Sequence, residues 1–357
     1  LQTSQVQAFN ATNFAALSDT QVAALTATQL AAVSTTNVAA MTETQAGALS
    51  TTQVHALTTA QVQALSTTNL STLDATQVGA LASTQVAALT STQVGALTAG
   101  DMAEFAATQV AALSATQVHG LTATNVGDLA ETQLAAMTTT QVQALTATNV
   151  AGLVDTQVAA LTTNQVAALT TTQLAALDAS DIGEFAATQI AALTTAQVNA
   201  LAATQLAAMA DTQVAALTAT QLGAISSTKF AALDETQVGA LTATQVGALS
   251  TAQLQALSNT EVSALDATQV AALNGTQLRG FTATQLASLA SGDFAEFSAS
   301  QIAQFSTTQV RGLSDTNIAA LADTQVAALT TAQVQALNTT NVNALSDTQV
   351  GALTTTQ

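Results

Sequence analysis

Residues 25–32 read Leu25-Thr26-Ala27-Thr28-Gln29-Leu30-Ala31-Ala32, and residues 89–96 read Leu89-Thr90-Ser91-Thr92-Gln93-Val94-Gly95-Ala96. The two stretches are one pattern. Gln5, Gln21, Gln29, Gln45, Gln53 and Gln61, with Asn13, Asn37 and Asn69 in the same place, set a period of eight that runs to Gln357 with no insertion or deletion. The 357 residues are thus about forty-five octapeptides, whose positions are lettered a to h from the Leu. A fixed short period is the mark of a repeat architecture and must be recognised before any other reading.

The columns divide by chemistry. Column a holds Leu, Val, Ile, Met or Phe (Leu25, Val33, Met41, Phe105), column f is apolar, and column h is nearly always Ala, with Gly at Gly120, Gly152, Gly280 and Gly312. These three columns are the predicted core, and the glycines predict a close approach at column h. Column b is Ser, Thr, Asp or Asn in 35 of 45 units, the preference of a helix N-cap, and the Gln three residues later completes a capping box. Leu25 and Leu30 around Thr26 then form a hydrophobic staple. Each octapeptide is expected to start its own helix.

Charge placement tests that expectation. Of the 21 acidic residues, 17 fall in columns b, c and e, at the cap and first turn; Arg279, Arg311, His55 and His119 all fall in column g, near the helix end, and Lys229 alone departs. Acids at helix starts and bases at helix ends are what the helix dipole favours, at about 0.3–1 kcal/mol each.

One continuous helix is disfavoured, because an eight-residue period at about 100° per residue winds the apolar stripe around the rod. The remaining alternative is a β-solenoid, which Val and Thr would suit. Against it, columns a and f alternate to opposite faces of a strand, and abundant Ala favours helix. The predicted fold is therefore an all-α solenoid, residues 1–357 forming a single continuous array. Helices of six or seven residues are unstable alone and must lean on neighbouring units. Asn recurs in column e three repeats apart (Asn13 and Asn37, Asn125 and Asn149, Asn317 and Asn341), which hints at three units per turn, although segmental duplication would give the same spacing.

Composition excludes several functions. Three basic residues against a net charge of −18 cannot neutralise a run of phosphates, so neither nucleic acid nor an anionic membrane is an expected partner. No apolar run is long enough to span a bilayer. Without Cys there is no disulfide or thiolate metal site, and two His leave no catalytic constellation. An enzyme is not expected, nor a cofactor. The chain opens at Leu1 without a leader, so a targeting signal is expected to be absent or to lie outside these residues.

Three units stand out: Asp101 with Glu104, Asp181 with Glu184, and Asp293 with Glu296, each followed by Phe in column a. Carboxylates three apart share a helix face, which makes these six residues candidate Ca²⁺ ligands, although two carboxylates are too few for tight binding. In the competing reading, Phe fills space altered by the acid. His55 and His119, separated by a whole number of repeats, read as solvated surface residues with no third ligand to make a metal site, and the sequons at Asn10, Asn69, Asn274 and Asn338 as chance products of a Thr-rich chain. The Thr of column d (Thr20, Thr28, Thr36, Thr44, Thr52) resembles the regular hydroxyl array of an ice-binding face, or else belongs to the capping chemistry.

The run of Leu-Thr-x-Thr-Gln-Val-Ala-Ala units resembles the Ala- and Thr-rich short-repeat regions of large secreted bacterial surface proteins of adhesin type. That resemblance implies an extracellular or cell-surface location and a spacer or filament role. Together with the unbroken register, it leads to the expected function: a non-enzymatic stalk, spacer or surface-layer component that self-associates or assembles on a surface. An ice-binding protein and a peptide- or protein-binding solenoid are the alternatives.

Overall fold

The computed structural model describes the backbone of residues 1–357 and every side chain except that of Ala99. Among the described residues there are 44 helices and no strand, so the β-solenoid alternative is set aside. The helices are numbered in chain order from α1 (Thr3–Gln7) to α44 (Asp347–Ala352), one per octapeptide.

The helix start is the capping box read from the sequence. At α8 (Thr59–Ala64), Thr58 is extended (φ −70, ψ 158) and its hydroxyl accepts from the Gln61 N–H at 3.2 Å, while Gln61 Oε1 accepts from the Thr58 N–H at 2.8 Å. The next column-a residue, Leu65 (φ −59, ψ 136), ends the helix. Two extended residues thus separate successive helices, and the chain turns between them. Units with Ala in column b, such as Ala82, keep only half the box: Gln85 Oε1 still accepts from the Ala82 N–H, at 2.6 Å, but no side chain returns the bond.

Residues 1–177 and 178–357 form two compact units. In the first, α8 packs on α5 (Thr35–Ala39), and α15 (Ala115–His119) lies between α12 (Ser91–Gly95) and α18 (Thr139–Ala144). In the second, α32 (Thr251–Ala256) lies between α29 (Ser227–Phe230) and α35 (Gly275–Gly280). The helices that pack closely are three apart throughout each unit, so each is an all-α solenoid with three octapeptides per turn. Three octapeptides per turn agrees with the recurrence of Asn three repeats apart, as at Asn125 and Asn149.

Columns a and f are the core, as at Val54 (0% exposed) and Leu57 (4%). Column h differs from expectation. Its residues are mostly half-buried, because they do not point inward but rest on column c of the turn before. A Cβ on Gly120 would lie 3.2 Å from the Ser91 carbonyl oxygen, and one on Gly312 would lie 3.0 Å from Ala283 Cβ. Among the described residues none has positive φ, so these glycines serve close stacking rather than a left-handed turn. The place in the core that was assigned to column h belongs to column e.

Candidate functional site

The most elaborate local chemistry is the column-e amide. Gln61 is 2% exposed. While its Oε1 closes the start of its own helix, its Nε2 donates to the carbonyls of Leu30 and Val33, both at 2.8 Å, at the end of α4 (Ala27–Ala31). One side chain therefore satisfies an orphan N–H of one helix and orphan carbonyls of another. Gln141 repeats this on Val110 (2.9 Å) and Leu113 (2.7 Å), and Gln277 on Val246 (3.0 Å) and Leu249 (2.9 Å). Asn is one methylene shorter and reaches only the column-a carbonyl, as Asn69 to Met41 at 2.9 Å and Asn317 to Leu289 at 2.8 Å.

The sequence reading found the capping half of this device and missed the bridging half. A signal was present: a capping box accepts Glu as readily as Gln, yet column e is Gln or Asn in 40 of 45 units and Glu only at Glu261. An acceptor alone is not enough, and a donor must be needed elsewhere. Lys229, the one base out of pattern, obeys the same demand, its Nζ donating to the Asn199 carbonyl at 2.6 Å.

The three acidic units place Asp in this amide position. Asp101 accepts from the Thr98 N–H at 2.7 Å and Asp181 from the Asp178 N–H at 2.7 Å. Asp293 accepts from the Ala290 N–H at 3.0 Å and also from the Ser263 hydroxyl, at 2.7 Å, on the preceding turn. The three glutamates differ. Glu184 is exposed, whereas Glu104 and Glu296 are half-buried, each with Oε2 enclosed and without a hydrogen-bond partner. Burial, reinforced by Asp101 and Asp74, pushes the Glu104 carboxyl above the usual range; burial with Asp293 and Asp266 does the same for Glu296. Asp74 is itself held low by hydrogen bonds from the Thr76 hydroxyl and the Gln77 N–H, so it stays charged beside Glu104. Phe105, Phe185 and Phe297 are all buried in column a. Among the described residues, no three His, Asp or Glu side chains come together as metal ligands.

The remaining candidates have local partners. His55 Nδ1 meets the Ala80 carbonyl and His119 Nδ1 the Ala144 carbonyl, both at 3.1 Å. Asn10, Asn274 and Asn338 are N-caps, and Asn69 is 2% exposed with its amide nitrogen engaged. Column-d Thr is exposed, and its hydroxyl often pairs with the cap oxygen, as Thr20 with Ser18 at 2.8 Å and Thr76 with Asp74 at 2.6 Å. Of the nine Phe, all in columns a and f, only Phe9 is not buried. No helix is long and apolar enough to cross a membrane among the described residues.

No curated protein matches the chain. Four stretches, residues 54–91, 214–251, 286–323 and 326–357, match the ALTTAQ repeat, and each begins at column f. Residues 56–61 and 328–333 spell Ala-Leu-Thr-Thr-Ala-Gln, columns h to e, so over these four stretches the chain is similar to a tandem repeat whose name is its helix start.

Proposed function

We propose that this chain is a non-enzymatic structural protein, an extracellular or cell-surface stalk, spacer or filament component in which residues 1–357 act as one array. The observation that carries this reading is the recurrent amide bridge: column e is Gln or Asn in 40 of 45 units, the same side chain serves the same two tasks at Gln61, Gln141 and Gln277, and no insertion interrupts the frame to build a pocket. Loops, where binding and catalytic groups usually sit, are reduced to two extended residues per unit. Eight of the nine Phe are buried, which leaves no concentrated aromatic patch for a peptide. The acidic units take Ca²⁺ at most weakly, and calorimetry should show no micromolar uptake.

Deletion tests the reading. Removing residues 233–256, one whole turn, should leave a folded particle shortened by the spacing of packed helices, about 8–10 Å by small-angle scattering, with its surface role kept. Removing residues 233–244 should set columns a and f in the places of e and b and unfold the region locally. Loss of activity on the in-frame deletion, with none on an equal deletion elsewhere, would reveal a discrete site and overturn the spacer reading.

A further inference from the structure

Of the sequons beyond the first turn, at Asn69, Asn274 and Asn338, the fold leaves Asn274 open to chemistry and closes the others. An Asn that carries an N-linked oligosaccharide needs its amide nitrogen in solvent, a free hydroxyl two residues on, and a helix start that survives the added bulk. Asn69 lacks the first: it is 2% exposed, and its Nδ2 donates to the Met41 carbonyl at 2.9 Å. The Asn338 Nδ2 is engaged as well, donating to the Arg311 carbonyl at 3.3 Å.

Asn274 meets all three demands. Both Asn274 and Thr276 are exposed. Asn274 Oδ1 accepts from the Thr276 N–H at 3.0 Å and from the Gln277 N–H at 3.1 Å, which caps α35 and leaves Nδ2 with no acceptor among the described residues. The Thr276 hydroxyl is equally unengaged there, whereas Thr76 and Thr236 give theirs to the cap carboxylates of Asp74 and Asp234, at 2.6 and 2.7 Å. Gly275 is the one glycine of column c, and it meets the next turn in place of its neighbour. A Cβ on Gly275 would lie 2.8 Å from Gln304 Oε1, an oxygen to which Arg279 Nη1 donates at 3.2 Å. The following turn therefore closes over Gly275 and leaves the Asn274 amide clear.

We propose that Asn274 is the acceptor of an N-linked oligosaccharide. This deepens the extracellular reading and rests on it, because such oligosaccharides are transferred to chains entering an export pathway. The donor is an oligosaccharide carried on a polyprenyl diphosphate. Asn274 Nδ2 attacks its anomeric carbon, a C–N bond forms, the C–O bond to the diphosphate breaks, one amide proton passes to the transferase, and polyprenyl diphosphate leaves. Oδ1 is unchanged in the product, so both capping bonds of α35 persist.

The test translates the full chain behind an export leader in the presence of microsomes, and takes the chains shielded from added protease as lumenal. Trypsin cuts after Lys229 and Arg279, and the fragment 230–279 holds no other sequon. That fragment should carry a glycosidase-sensitive mass increment, and the far-UV circular dichroism of the whole chain should be the same before and after glycosidase. Asn274→Asp should abolish the increment and keep the fold, since Asp266, one unit earlier, caps its helix from the Thr268 and Gln269 N–H groups at 2.8 Å each. Thr276→Ala removes the hydroxyl but keeps the N–H, and should abolish it too. A bare fragment 230–279 from lumenal chains, or a glycan that unfolds α35, would overturn the assignment and leave the extracellular spacer reading standing. Finding the native chain retained inside the cell that makes it would remove both.

Discussion

At Gln141 the balance of forces comes down to two nitrogen-bound hydrogens. Replacing Gln141 by Glu keeps the acceptor for the Thr138 N–H at 2.7 Å but sets a buried carboxylate against the carbonyls of Val110 and Leu113. That change should cost about 3 kcal/mol, and Gln141→Asn, which keeps the column-a bond, about 1 kcal/mol; local amide exchange measures both. Glu104 gives a pH effect of definite sign. Its carboxyl is raised above the ordinary value of 4.5 in the folded chain, so above that value the folded state holds the proton more firmly than the unfolded one, and stability falls as pH rises through the folded value. The local stability of α13 (Ala99–Ala103) should therefore increase as pH drops from 7 toward 5, and Glu104→Gln should flatten the profile. Column b was legible as caps because a cap needs only its own helix. Column e was half legible, since its second partner lies on the preceding turn and a linear reading carries no such distance.

Within a single helix, the capping box and the dipole charges were readable because each acts inside one repeat. Packing between helices was not, and the glycines show why. Gly95, in α12, and Gly223, in α28 (Ala219–Ala224), look alike in sequence. A Cβ on Gly95 would stand 2.6 Å from the Gly120 carbonyl oxygen, while one on Gly223 meets nothing within 4 Å. Gly223→Ala should raise stability by about 0.5–1 kcal/mol through helix propensity, and Gly95→Ala should lower it by about 1 kcal/mol or more because backbone must shift. Urea midpoints of the two variants should move in opposite directions. The expectation that column h is core failed for the same reason: small residues there answer to a neighbouring turn, which an isolated helix pattern does not represent.

At the largest scale, the close packing within each unit is between helices three apart, so the stability of each is close to one-dimensional. The Gln141→Glu change should raise amide exchange in α18 and in the helices stacked on it, and leave that of α3 (Asp19–Ala23), several turns away, unaltered; a uniform rise would mean the array melts as one body. The Asn spacing hinted at three units per turn, but segmental duplication would leave the same spacing, and it is the packing of helices three apart that gives the number. The amide bridge also has a direction. Within each unit the column-e amide nitrogens of the inner turns, such as Gln61, Gln141 and Gln277, reach toward carbonyls earlier in the chain, so a helix start emerging from the ribosome finds those acceptors already in place. Synthesis and folding can then advance at the same end and in step, each finished turn serving as the template on which the next condenses.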